Sequence, residues 1–199
     1  MSSPPSLPVG RALALYGALL VVAWGWRTGL YDESLLYATE AARVAGLHWI
    51  RDLGLGLALA AMVALVSAAS ERWTRWGADL ADELAGALGP VSARACVGLA
   101  FASGVAEEAF FRGALQPRVG LVAASLLFGL CHVPVRRALL PWTAFAVVLG
   151  FGLGALFEAT GSLLAPVSLH VAVNTVGLLS LRRRFQARTS APAASPPGR

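Results

Sequence analysis

Six apolar runs separated by short polar connections set the pattern of the chain, at about residues 11–31, 53–70, 92–115, 119–133, 139–160 and 162–181. A helix needs about 20 mostly apolar residues to cross a bilayer, so these runs predict an all-α, polytopic transmembrane helix bundle of about six spans, the shortest run being 119–133. The first run follows an arginine, as a secretory signal does, but lacks a small-residue cleavage site and is read as a retained span. The stretch RWGADLADELAGALGPV breaks the pattern. Trp76, Leu80, Leu84 and Leu88 recur every four residues with Asp79, Asp82 and Glu83 between them, which predicts an amphipathic helix lying at the membrane interface.

Composition supports a bilayer protein. Hydrophobic residues make up 57% and charged residues 14%, against about 25% charged in a soluble domain, and the mean hydropathy is +0.66. With 199 residues there is room for one bundle and no sizeable soluble domain. All 16 basic residues are arginine, and the net charge of +5 owes much to RRRFQAR near the end. Such a basic segment sets orientation at an anionic lipid leaflet; no aromatic or glycine pattern supports nucleic-acid binding. Six spans put both termini on one side, and a cytoplasmic assignment gathers Arg11, Arg72, Arg75, Arg94, Arg136, Arg137 and the tail there, as expected for a bacterial inner-membrane protein. Cys96 and Cys131 lie in apolar runs and read as small buried hydrophobes.

Three charges interrupt the run GVAEEAFFRGAL: Glu107, Glu108 and Arg112. Each costs about 2.5 to 3.5 kcal/mol at the centre of a membrane helix, so something must offset them. Glu108 and Arg112 are four apart in the favourable acid-before-base order and can pair within the helix. Glu107 is followed four residues on by Phe111, lies about 100° round the helix from Glu108, and has no such partner. A purely structural account makes EEAFFR a helix end at the water interface. Two later runs argue against it. LLFGLCHVP places His132 four residues after Phe128, and APVSLHVAVNT places His170 and Asn174 four apart. Three apolar helices each offer one polar face, and such faces turn toward each other or toward enclosed water.

The series EExxxR, FxxxH and HxxxN, in this order on successive apolar segments, resembles the CPBP family of intramembrane proteases, which includes CAAX prenyl endopeptidases. The resemblance covers about residues 76–181, leaving 1–75 as an N-terminal two-span region and 182–199 as a basic disordered tail. It implies a membrane-embedded peptide-bond hydrolase whose water is activated by Glu107 with help from His132. The chemistry of the residues agrees, since a desolvated carboxylate serves as a general base and an imidazole can hold the water or carry a proton. His170 and Asn174 would then donate to the oxyanion, and Glu108 with Arg112 would orient the site. Two histidines and a glutamate could also hold zinc with an open position, but HExxH is absent and the glutamate-only mechanism is favoured, with no cofactor required. Cys131 beside His132 does not form a thiol dyad, because adjacent helical residues point about 100° apart.

The resemblance implies a membrane-associated protein or peptide as substrate, and a C-terminal sorting signal is one candidate. The competing reading is non-enzymatic, a membrane chaperone or bacteriocin-immunity factor using the same pocket. A third, an ion or proton carrier, also uses buried carboxylates and histidines but gives no account of the His170–Asn174 pair.

Overall fold

The computed structural model describes residues 8–133 and 137–190; the expectation for Arg136 and for the chain beyond 190 lies outside the described residues, as does that for the side chain of Arg137. Helix α1 (Val9–Trp24) continues into a π-helical turn (Gly25–Leu30). Short α2 (Glu40–Ala45), long α3 (Trp49–Trp73) and α4 (Arg75–Leu88) follow. Then come α5 (Ala93–Glu108), which widens into a π-helical stretch (Ala109–Leu115), α6 (Gln116–Leu130), α7 (Leu140–Thr160) and α8 (Leu164–Ser190). Hydroxyl N-caps punctuate the chain: Thr39, Thr74 and Ser92 accept from the backbone N–H groups of Ala42, Gly77 and Ala95. Thr74 ends α3 in an extended conformation and caps α4 in the same step.

Among the described residues, five helical stretches are long and apolar enough to cross a membrane: Val9–Leu30, Trp49–Trp73, Ala93–Leu130, Leu140–Thr160 and Leu164–Ser190. The protein is an all-α, multi-pass membrane protein. The third and fourth apolar runs of the sequence are one of these stretches, 38 residues long, and it does not run straight. Gly120 takes φ +81° and ψ 166°, a conformation open to glycine. Seventeen residues of continuous helix would hold Phe111 and Phe128 about 25 Å apart, yet their rings meet at 5.1 Å between centroids. Partners on α7 show the same reversal. Arg112 and Gln116 bond to the carbonyls of Gly150 and Gly154, rising together along both helices. After Gly120 the order inverts, and Leu121 lies against Gly154, Phe128 against Gly150 and Gly129 against Val147. The chain folds back as a helical hairpin around α7, and this is how two sequence runs share one helical stretch.

The registers of the other helices follow from small residues and a few polar ties. Helices α3 and α8 run parallel, joined at one end by the buried carboxylate of Asp52, which accepts from Ser162 at 2.7 Å and from Arg51 at 2.8 Å. A Cβ on Gly56 would press on the backbone of Ala165, so glycine sets that approach. The loop before α2 is pinned to the α7–α8 turn by Ala38 N–H to Gly161 O at 3.0 Å and Leu163 N–H to Leu36 O at 2.9 Å.

Helix α4 is amphipathic as expected, but its buried stripe is Gly77, Ala81, Ala85 and Leu88, one residue on from the predicted Trp76, Leu80 and Leu84 for its first three members. Small residues let α4 approach α3 and α8 closely, while Trp76 stays exposed. Its acidic side has a protein partner. Asp82 accepts from Arg184 at 2.5 Å and lies 3.4 Å from Arg188, and Glu71, in the last turn of α3, lies 3.4 Å from Arg184. The hydrogen bond from Arg184 holds the Asp82 carboxyl below the usual carboxylate range. The basic segment expected as a disordered tail is helical through Ser190, and Arg184 and Arg188 are bound to α4.

Helices α5 and α8 pack antiparallel and approach most closely at Gly104, where an added Cβ would lie 3.0 Å from Val171 N and 3.2 Å from its Cα. Gly104→Ala should lower the unfolding temperature in detergent, corresponding to an overpacking cost of about 1 to 3 kcal/mol. Gly98→Ala, whose Cβ would meet nothing within 4 Å, should be neutral or slightly stabilising. Equal unfolding temperatures for the two variants would contradict this account of the α5–α8 contact.

Candidate functional site: a polar cluster between α1, α5, α6 and α8

The antiparallel register of α5 and α8 brings two polar faces together residue by residue. The thiol of Cys96 donates to Leu178 O at 3.8 Å, Asn174 Nδ2 donates to Ser103 Oγ at 3.0 Å, and Glu107 faces His170. The hairpin at Gly120 adds His132 from the end of α6, and the π-helical stretch presents Arg112 one turn after Glu108. All six polar residues singled out in the sequence lie around this cluster.

Glu108 is its centre of charge. Fully buried, its Oε1 accepts from Arg112 Nη1 at 3.0 Å and lies 2.7 Å from His170 Nδ1. Arg112, also buried, donates its Nη2 to Gly150 O at 2.9 Å and lays its guanidinium over the Phe128 ring, 4.4 Å from the centroid. The pairing predicted from the i, i+4 spacing is present, and a histidine and a backbone carbonyl extend it. A buried pair is tolerable only when such further bonds compensate its desolvation.

The two imidazoles are oriented alike. A carboxylate paired with arginine only accepts, so His170 Nδ1 carries the hydrogen it gives to Glu108. The Phe128 carbonyl also only accepts, so His132 Nδ1, 2.7 Å away, carries a hydrogen too. In the neutral rings this leaves each Nε2 as an acceptor. Both face the same atom, Glu107 Oε2, at 3.7 Å from His132 and 3.9 Å from His170. That oxygen is buried and has no hydrogen-bond partner. Three acceptors converge at distances too long for direct bonds and suited to bridging by one oxygen that carries hydrogens. The site is open on one side: the His132 side chain is 22% exposed against 3% for His170.

Zinc ligands 2.0 to 2.1 Å from a tetrahedral ion lie about 3.3 Å apart. The separations of 3.7 and 3.9 Å are wider. No group of three or more histidine, cysteine, aspartate and glutamate side chains among the described residues forms a metal-binding cluster. As placed, these atoms do not fit zinc, and the mechanism below uses none.

Four contributors escape a motif-based reading. Ser103 receives Asn174 and itself donates to Ala100 O at 3.3 Å; it stands four residues before Glu107, so its helix face signalled it. Thr143 donates to the carbonyl of His132 at 3.0 Å and steadies the end of α6. Gly150 acts through its backbone, which no side-chain pattern reveals. Tyr16, from α1, is half-buried near the Glu107 side chain. Asn174 keeps one amide hydrogen beyond the bond to Ser103. His170, expected to act beside Asn174, is held by Glu108 and directed at Glu107.

Residues 90–176 match the family model described as type II CAAX prenyl endopeptidase Rce1-like. Over these residues the chain is similar to the Rce1-like family. The Rce1-like segment runs from just before α5 to the middle of α8 and holds all six sequence-predicted site residues, while Tyr16 lies outside it. The chain is also 39% identical over 79 residues to an uncharacterized protein, YpbD, of Bacillus subtilis (strain 168), which covers 39% of this chain; the match spans only 40% of that relative's length. No solved structure matches the chain.

Glu108→Gln should destabilise the protein strongly, since it removes the charge opposite a buried arginine; breaking a buried pair from one side costs about 3 to 5 kcal/mol. Glu107→Gln, which removes no bonded ionic partner, should unfold close to the wild-type temperature. Thermal unfolding of both in the same detergent checks the contrast, and equal loss in the two would contradict the assignment of Glu108 as the paired carboxylate.

Proposed function

We propose that the protein is an intramembrane endopeptidase that hydrolyses a peptide bond in a membrane-associated protein or peptide, with water activated by Glu107. One observation carries the reading. A buried, unpartnered carboxylate oxygen and two imidazole Nε2 atoms converge as acceptors, and a water molecule can donate to two of them and be deprotonated by the first. The Rce1-like segment supports the same reaction class, because its family model is that of an endopeptidase.

In this mechanism Glu107 takes one proton from the water while His132 accepts the other hydrogen as a bond and fixes its direction. The resulting hydroxide oxygen adds to the carbonyl carbon, and the carbonyl electrons move to oxygen. Asn174, through its remaining N–H, and His170, when protonated on Nε2, donate to that oxyanion. Collapse restores the carbonyl and breaks the C–N bond as the Glu107 proton passes to the leaving nitrogen, giving a carboxylic acid and an amine. Glu108 and Arg112 touch no reacting atom and are positioning residues for His170.

The distribution of charge supports cytoplasmic termini. The end of the bundle formed by the start of α1, the α3–α4 corner, the start of α5 and the end of α8 gathers Arg11, Arg72, Arg75, Arg94 and Arg182 with the other α8 arginines. The opposite end balances Arg27, Arg43, Arg51 and Arg118 against Asp32, Glu33, Glu40 and Asp52. By the positive-inside rule the first end faces the cytoplasm, here of a bacterial inner membrane. A C-terminal sorting signal is a candidate substrate of this geometry.

Glu107→Gln should insert and fold as the wild type and lose at least 10³-fold in kcat, as expected when a base that acts only in the transition state is removed. The assay is cleavage of a prenylated CAAX-box peptide and of membrane proteins that accumulate when the gene is deleted. A chaperone or immunity role through the same pocket predicts instead that the cellular effect survives Glu107→Gln at equal protein level.

The metal-free reading has its own check. Purified protein should hold well under one zinc per chain by elemental analysis and keep its cleavage rate in a strong chelator. One zinc per chain, with activity lost on chelation and regained on adding zinc, would reverse the assignment.

A further inference from the structure

Asn174 is the one asparagine in the chain, and the rung it forms with Ser103 lies next to the reacting groups. Helices α5 and α8 run antiparallel, so Ser103 faces Asn174, and one turn further along α5 and back along α8 Glu107 faces His170. About 6 Å of helical rise separates the two rungs. A helical side chain tilts toward the N-terminus of its helix, which inclines Asn174 toward His170 and the site, and Ser103 away from it, toward Ala100. Asn174 leans into the site, and Ser103 stands behind it.

The bonds of Ser103 determine what it can do for that amide. Its hydroxyl has one hydrogen, given to Ala100 O at 3.3 Å within its own helix. Toward α8 the oxygen is then an acceptor, and it takes a hydrogen from Asn174 Nδ2 at 3.0 Å. Ser103 is buried, so water competes little for this bond. The last torsion of an asparagine side chain is broad and roughly two-fold, so an unheld amide swings and can present either its oxygen or its nitrogen. An acceptor beside it selects the nitrogen end, and with one N–H bound the direction of the second is set. This site needs such a hold. Glu107 Oε2, one turn away, is an acceptor without a partner. An amide free to turn would be drawn to donate to it, taking the place of water and lowering the basicity of the carboxylate.

We propose that Ser103 is a positioning residue of the oxyanion site: by accepting one amide hydrogen of Asn174 it holds the other toward the carbonyl oxygen of the substrate and keeps the amide off Glu107. Ser103 touches no reacting atom and acts through Asn174. The role rests on the endopeptidase reading; the hold on the amide does not.

The test uses the full chain, purified in detergent, and has a substrate-free readout. With isotopic label in the asparagine side-chain nitrogen, Asn174 supplies the one pair of amide proton resonances. Ser103→Ala should move the resonance of the bonded hydrogen upfield, toward that of a free amide, while the protein unfolds close to the wild-type temperature. In cleavage of a prenylated CAAX-box peptide, Ser103→Ala should lower kcat about tenfold with KM little changed, a smaller loss than the roughly 10² to 10³ expected when an oxyanion donor is removed outright. Because Ser103 acts through Asn174, the double variant Ser103→Ala/Asn174→Ala should be no slower than Asn174→Ala alone. An unmoved amide pair in Ser103→Ala would overturn the hold. A shifted pair with unchanged kcat, or losses that multiply in the double variant, would overturn the positioning role and leave Ser103 as a packing tie between α5 and α8. If Glu107→Gln cleaves as well as the wild type, the endopeptidase mechanism fails, while the amide resonances still report on the hold.

Discussion

A carboxylate in an apolar bundle cannot draw on water to stabilise its charge, so it must be met by other groups of the protein, and in this molecule that requirement falls on Glu108. Its partners come from its own helix, from α8 and, through Arg112, from the backbone of α7. Three helices are tied by one ionic network, and the network works only if each is in register. That explains why the surrounding packing is made of small residues. Gly104 lets the backbone of α8 approach α5, and Gly150 lies close enough to Phe128 and Ser125 to offer its carbonyl to Arg112. The aromatic ring of Phe128 covers the guanidinium and also packs on both histidines, at 4.6 Å from His132 and 5.9 Å from His170. The FxxxH spacing thus places a histidine on the same helix face as the ring that shields the charge.

Much of this was legible in the sequence because the membrane makes polarity conspicuous. Glu107, Glu108, Arg112, His132, His170 and Asn174 stood out as polar groups in apolar runs, and the i, i+4 rule gave the Glu108–Arg112 pair directly. The bundle class followed from run lengths. What sequence could not give is the part that depends on one dihedral angle or on backbone atoms. The runs at 92–115 and 119–133 look like two separate spans, and only the conformation of Gly120 shows that they are the arms of a hairpin within one helical stretch. The α4 stripe was misplaced by one residue because Trp76 and Leu80 carry the larger hydrophobic signal, whereas Gly77 and Ala81 permit the closer helix approach. Arg184 and Arg188 read as part of a tail until Asp82 and Glu71 supplied their partners.

The division of labour between the two glutamates follows from partners rather than from position. Adjacent on the helix, they point about 100° apart, so one faces Arg112 and the other the histidines of α6 and α8. Glu108 is held through Oε1 by Arg112 and His170. Glu107 Oε2 is surrounded by acceptors, which is an unstable arrangement unless something carrying hydrogens lies between them. Such an arrangement suits water better than any group of the protein itself, and Glu107 Oε2 has no other bond. The histidines contribute by what their far nitrogens hold. Because each Nδ1–H is committed to an oxygen, each Nε2 is left to accept, and the ring can take up a proton without turning. A ring held at Nδ1 in this way can pass a proton through a fixed geometry, as the proposed hydrolysis requires. His132, at the end of the hairpin, is the more exposed of the two, because the arm that ends there leaves room at its tip while α5 and α8 close over His170.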